Sequence, residues 1–258
     1  MRRAYAFESR FEFGYQDRMT WSVHWLIMAN VIVFAVQLLV HIPLGHSPYT
    51  PGAIYAPPGG ALVQYLAFDV TGFLQGFIWQ PITYIFLHAG LMHLFLNMLW
   101  LFVFGPDVER VLGTRQFFRF FFLCGALGVM GTYVSALLFG GPAVSVVGAS
   151  GAVMGVLIAY AVLYPDRELF LFPLPFPVNA RFIVLIVVIM NLVSATGQAN
   201  ISVATHFGGM AVGYVYMKAV PMFRNWSLKR QSGPRADHDK VGEAVDNIFD
   251  LDDERRRR

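Results

Sequence analysis

Three stretches of the chain combine residue types that could carry out acyl transfer. Ser150 lies in Gly148-Ala149-Ser150-Gly151, His206 precedes Phe207-Gly208-Gly209, and His93 stands four residues before Asn97. A serine hydroxyl is a weak nucleophile until a neighbouring base takes its proton, and a neutral imidazole is the expected base. Residues four apart share one helical face, so His93 and Asn97 can offer an imidazole N–H and an amide NH₂ to one point. That is the donor set a developing oxyanion needs. Gly148 puts a helix start just before Ser150, whose backbone N–H is then free to face the same charge. Each pattern alone also has a plainer reading. His and Asn serve as hydrogen-bond glue between membrane helices, Gly151 and Gly155 form a small-xxx-small packing face, and a lone histidine in a span is more often structural. His88, five residues before His93, is turned off that face near the outer end of its span, where structural hydrogen bonding is expected.

The remaining chemistry is narrowed by what these stretches lack. Every Asp and Glu is expected in loops or tails, so a catalytic unit built on Ser150 would be a Ser-His dyad rather than a triad. Paired intramembrane carboxylates and an H-E-x-x-H motif, which aspartyl and metallo intramembrane proteases require, are both missing from the sequence. Residue types alone would allow zinc on His88, His93 and His206, but that leaves Ser150 and Asn97 without a role. No metal or other cofactor is therefore expected.

The elements that must hold these residues are apolar. Of 258 residues, 56% are hydrophobic, 16% aromatic and only 14% charged, and the mean hydropathy is +0.53. This is too apolar for an ordinary soluble domain. Apolar runs near 21–40, 82–104, 117–139, 147–164, 181–199 and 203–221 are each long enough to cross a hydrocarbon core of ~30 Å. The expected fold is all-α: a polytopic transmembrane bundle of six helices over 21–221, preceded by a cytoplasmic segment, 1–20, and followed by a disordered cytoplasmic tail, 222–258. The tail's charge-rich end, Asp252 to Arg258, cannot bury enough apolar surface to fold alone.

Charge sets the expected orientation. Segments 41–81, 140–146 and 200–202 contain no Lys or Arg, whereas the other connections and both ends do. The positive-inside rule therefore puts both termini in the cytoplasm. The net charge of +3 is spread over the ends of apolar runs, which argues against nucleic acid as a partner. The 41–81 segment opens with Pro and Gly and then turns amphipathic from Ala61 to Trp79, suiting either the outer headgroup region or a loop folded over the bundle. Cys124 is the sole cysteine, which rules out an intramolecular disulfide.

Taken together, these motifs resemble the rhomboid intramembrane serine proteases, over all six spans. The histidine-x4-histidine-x3-asparagine pattern stands as His88, His93 and Asn97, the G-x-S-G pattern as Gly148, Ser150 and Gly151, and the H-x-x-G-x-x-x-G pattern as His206, Gly209 and Gly213. Trp79, before the oxyanion histidine, and Glu109-Arg110, after the second span, agree as well. Two positions depart: Gln80 replaces a frequent arginine, which puts the contacts of that loop in question, and Met154 replaces a frequent aromatic that stacks on the catalytic histidine. A thioether can still pack on imidazole, so weaker positioning of His206 is expected. The resemblance implies Ser150 as nucleophile, His206 as general base, and an oxyanion site of His93, Asn97 and the Ser150 N–H. It also implies transmembrane segments of other proteins as substrates, and six spans of the simple bacterial form, hence a bacterial plasma membrane. The rival readings are a rhomboid-like pseudoprotease that binds membrane clients without cutting, and a transporter, which would call for an internal repeat that is not evident.

Overall fold

The computed structural model describes residues 19–41, 60–139, 145–170, 176–195 and 200–231. The N-terminal segment to 18, the stretches 42–59, 140–144, 171–175 and 196–199, and the tail beyond 231 lie outside these. Contacts divide the chain into two compact units, Met1–Tyr216 and Met217–Arg258. The candidate site belongs wholly to the first.

The described elements are α1 (Trp21–His41), three short helices α2 (Gly60–Leu66), α3 (Val70–Leu74) and α4 (Gln80–Thr83), then α5 (Leu91–Leu112), α6 (Thr114–Phe139), α7 (Ser150–Leu163), α8 (Ala180–Ala195) and α9 (Asn200–Gln231). A 3₁₀ turn, Tyr84–Phe86, leads from α4 towards α5. The described residues are thus mostly helical, with one antiparallel pair of two-residue strands among them, β1 (Glu168–Leu169) and β2 (Val178–Asn179), between α7 and α8. Among the described residues, α1, α5 and α6 are long and apolar enough to cross a membrane, while α7 and α8 are shorter apolar helices.

The expected span at 82–104 is displaced. Residues 80–86 are spent on α4 and the 3₁₀ turn, and the long helix begins only at Leu91. Pro81 suits the first turn of a short helix, where its missing N–H costs nothing. At its other end α5 runs on through Pro106 to Leu112. Gly113, with φ of +80°, breaks the chain there, and its N–H closes the helix on the Glu109 carbonyl at 2.7 Å. Asp107 and Glu109 therefore lie within a helix, against the expectation that every carboxylate falls in a loop or tail. At the far end of the chain, α9 continues to Gln231, past the expected end of the last span.

Helix α7 is the hub. Gly151, Ala152, Val153, Gly155, Val156, Leu157, Ala159 and Tyr160 are all buried, and a helix that is apolar all round belongs inside its neighbours. It packs against α5, α6 and α8, while α1 lies against α5. The seam between α7, α6 and α9 is lined with glycine. A Cβ on Gly209 would collide with the Gly151 carbonyl oxygen, one on Gly213 would stand 2.7 Å from the Gly155 oxygen, and one on Gly128 would stand 2.9 Å from the Gly209 nitrogen. Backbones meet here directly, which is the packing that small residues permit between membrane helices.

The segment before α5 is tied to the bundle rather than loose. Val63 and Ala67 bury against Leu87, with Val33, Leu66 and Val147 around them. Trp79 Nε1 donates to the Tyr65 carbonyl at 2.8 Å and Thr83 Oγ1 to the Leu66 carbonyl at 2.7 Å. Gln80, fully buried, accepts the Asp69 N–H at 3.2 Å, so the shorter amide still makes a contact inside this segment. Tyr65, Leu74, Ile78 and Trp79 remain exposed.

Candidate active site

Ser150 is the first residue of α7. The chain reaches it through an extended stretch pinned from one side: Phe68 and Val146 exchange both backbone hydrogen bonds, at 3.0 and 2.8 Å, and the Gly148 N–H donates to the Tyr84 carbonyl at 2.9 Å. Gly148 then turns with φ of +116°. A side chain there would be strained, and its Cβ would also lie 2.6 Å from the His93 ring. Glycine is therefore required twice over. The first hydrogen bond of α7 runs from the Val153 N–H to the Ala149 carbonyl at 2.9 Å. The N–H groups of Ser150, Gly151 and Ala152 precede it and have no acceptor within the helix.

His206 comes from α9, and its Nε2 lies 2.8 Å from Ser150 Oγ. The glycine seam explains how: only with Gly151 and Gly209 lacking side chains can α9 come close enough to α7 for imidazole and hydroxyl to touch. Both side chains are partly buried.

His93 and Asn97 share a face of α5, as expected from their spacing. His93 Nδ1 accepts the Ala89 N–H at 3.4 Å. With Nδ1 turned to that N–H, Nε2, the atom beside Gly148, is the ring nitrogen left to donate. Asn97 Nδ2 donates to the His93 carbonyl at 3.0 Å and lies 3.7 Å from the Gly148 Cβ position. Both side chains thus border the backbone leading into Ser150.

His88 is not in the helix. It sits in the turn before α5, fully buried, with its ring edge-on to that of His93 at 5.1 Å. Its main chain is gripped by Gln37 of α1, which accepts from the His88 N–H at 3.1 Å and donates to its carbonyl at 2.9 Å. Met154 stands one turn after Ser150, half-buried. Trp79 stands just before α4, stacked on Phe77. Among the described residues no three His, Cys, Asp or Glu side chains gather as a metal site would need.

Three contributors were not singled out from the sequence. Asn191 of α8 places Oδ1 2.6 Å from His206 Nδ1. Tyr84, fully buried, donates to the Gly125 carbonyl at 2.8 Å while its own carbonyl holds Gly148. Gln37 is buried too. For Asn191 a signal existed: a strongly polar amide in the middle of an apolar run is expensive and calls for a partner.

The sequence is similar to those of known proteins. The family model described as Rhomboid domain matches residues 75–222, more than half of the chain. YdcA of Bacillus subtilis (strain 168) is 33% identical over 144 residues, covering 56% of this chain and 68% of its own. Rhomboid protease GluP of the same organism is 32% identical over 157 residues, 59% of this chain and 28% of its own. The mitochondrial Rhomboid protein 1 of Saccharomyces cerevisiae is 32% identical over 136 residues, 51% of this chain and 38% of its own. The chain thus spans about two thirds of the first of these relatives and well under half of the other two. With a family match across the segments that carry Ser150, His206, His93 and Asn97, and with long apolar helices around them, this chain is an integral membrane protein that belongs to the rhomboid family.

Proposed function

We propose that the chain is an intramembrane serine endopeptidase that cleaves transmembrane segments of other membrane proteins. The observation that carries this reading is the 2.8 Å contact between Ser150 Oγ and His206 Nε2 at the N-terminus of α7. In the reaction, His206 Nε2 takes the Ser150 proton as Oγ adds to the scissile carbonyl. The resulting oxyanion is held by the Ser150 N–H with His93 Nε2–H and an Asn97 amide hydrogen. His206 then passes its proton to the leaving amine as the C–N bond breaks. Water, deprotonated by the same imidazole, releases the acyl group and restores the serine. Met154 packs against the His206 ring in this scheme.

The reading carries a topology with it: six spans, α1, α5, α6, α7, α8 and α9, both termini in the cytoplasm, and the site towards the outer face. A bacterial plasma membrane is the proposed location. Since one relative is mitochondrial by name, membrane fractionation of the source cell is the direct check.

The test is incubation of the purified chain, in detergent and in liposomes, with a single-span substrate, comparing wild type with Ser150→Ala and His206→Ala. Cleavage lost in both variants is expected, and full activity in Ser150→Ala would refute the scheme. No cleavage across several substrates, with membrane clients still co-purifying, would favour a non-cleaving rhomboid-like protein instead.

A further inference from the structure

We infer that Asn191 is a positioning residue for His206, making the working unit Ser150-His206-Asn191 spread over three helices. This rests on the protease reading for its consequence, but its geometry stands alone. The amide of Asn191 can be oriented from its two contacts. Nδ2 donates to the Val187 carbonyl one turn earlier, at 2.8 Å, so Oδ1 is the atom turned to His206 Nδ1, at 2.6 Å. An amide oxygen only accepts, so the hydrogen of the imidazole must be on Nδ1. Nε2 is then the unprotonated nitrogen, and it is the one that meets the Ser150 hydroxyl. Asn191 thus selects the tautomer that can act as a base, the task a carboxylate performs in a Ser-His-Asp triad. It does so without the buried charge that a mid-membrane carboxylate would introduce. Asn191 is itself buried, and no element other than α8 supplies an acceptor to Nδ1 among the described contacts. The ring is fixed from both ends, Oγ of α7 on one side and Oδ1 of α8 on the other.

The experiment compares wild type, Asn191→Ala and Asn191→Asp in the full chain. Kinetics on a single-span substrate are paired with ¹⁵N spectra of the histidine rings, which distinguish Nδ1–H from Nε2–H without requiring turnover. Asn191→Ala should lower kcat by roughly 10²-fold, as loss of alignment typically does, with KM little changed, and should convert the His206 signal from one tautomer to a mixture. Asn191→Asp gives up the bond to Val187 but keeps an acceptor for Nδ1. It should recover most of the lost kcat and keep the hydrogen on Nδ1. If Asn191→Ala retains wild-type kcat and the Nδ1–H signal, the inference is overturned. It is equally overturned if both variants are impaired alike with the tautomer unchanged, since Asn191 would then be a packing residue. Should Asn191→Ala not survive purification, Asn191→Asp and the wild-type spectrum decide, and a wild-type Nε2–H signal ends the idea. If wild type cuts nothing while the tautomer still follows residue 191, the protease reading fails and the positioning role stands.

Discussion

The two ends of the α5–α7 core are held together by opposite means. Where Ser150 meets His206, helices touch through bare backbone: Gly151 against Gly209, Gly155 against Gly213, Gly128 against Gly208 and Gly209. At the far end of α5 a single carboxylate does the joining. Glu109, almost fully buried, accepts from Thr20 Oγ1, from Ser22 N–H and Oγ–H at 3.0 and 2.7 Å, from Val23 N–H at 3.2 Å and from Thr114 Oγ1 at 3.0 Å. It satisfies first-turn donors of α1 and the hydroxyl at the start of α6 together, and its charge suits those helix starts. One end therefore depends on shape and the other on hydrogen-bond count. The first tolerates no added atom, the second no lost acceptor.

That contrast can be broken from either side. Gly209→Ala should have the largest effect, because its methyl meets the Gly151 carbonyl, which belongs to the helix that carries Ser150. We expect activity to fall by roughly 10²-fold or more as His206 is pushed off Ser150, with a lower Tm in detergent, and a fully active Gly209→Ala would show that the seam is not tight. Glu109→Ala comes next. Stranding several buried donors should cost about 3 kcal/mol, seen as a Tm decrease, while kcat measured well below the transition stays near wild type. A drop in kcat equal to that of Gly209→Ala would erase the distinction between the two ends. Arg167→Ala should do least. Arg167 pairs with Asp107 at 2.9 Å beside Arg110, but its side chain is 47% exposed, and such pairs contribute below about 1 kcal/mol. Here a Tm shift matching that of Glu109→Ala would overturn the ranking.

What the sequence made legible follows the same physics. Ser150, His206, His93 and Asn97 stand out because polar groups in apolar runs are costly, and Gly148, Gly151, Gly209 and Gly213 because their spacing marks close approach. The ends of α5 were misplaced, since hydropathy registers neither a short helix opened by Pro81 nor a helix that continues through Pro106 to Gly113. Glu109 reads in sequence only as an acid followed by a base. Its partners Thr20 and Ser22 are some ninety residues away, so no local pattern reveals them. Asn191 was missed for a different reason. Its partner is fifteen residues off, on another helix, and an uncharged amide draws less notice than a histidine.

The lone cysteine has a use that follows from its place in the seam. Cys124 is fully buried, and its Sγ lies where a side chain on Gly155 would begin, 2.5 Å from that Cβ position. With no second thiol in the chain, a permeant maleimide that forms a thioether must have reached this one point. That thioether forms in bilayers only when the packing around Cys124 opens, so the unaltered protein carries its own reporter of such opening, readable while substrate is present.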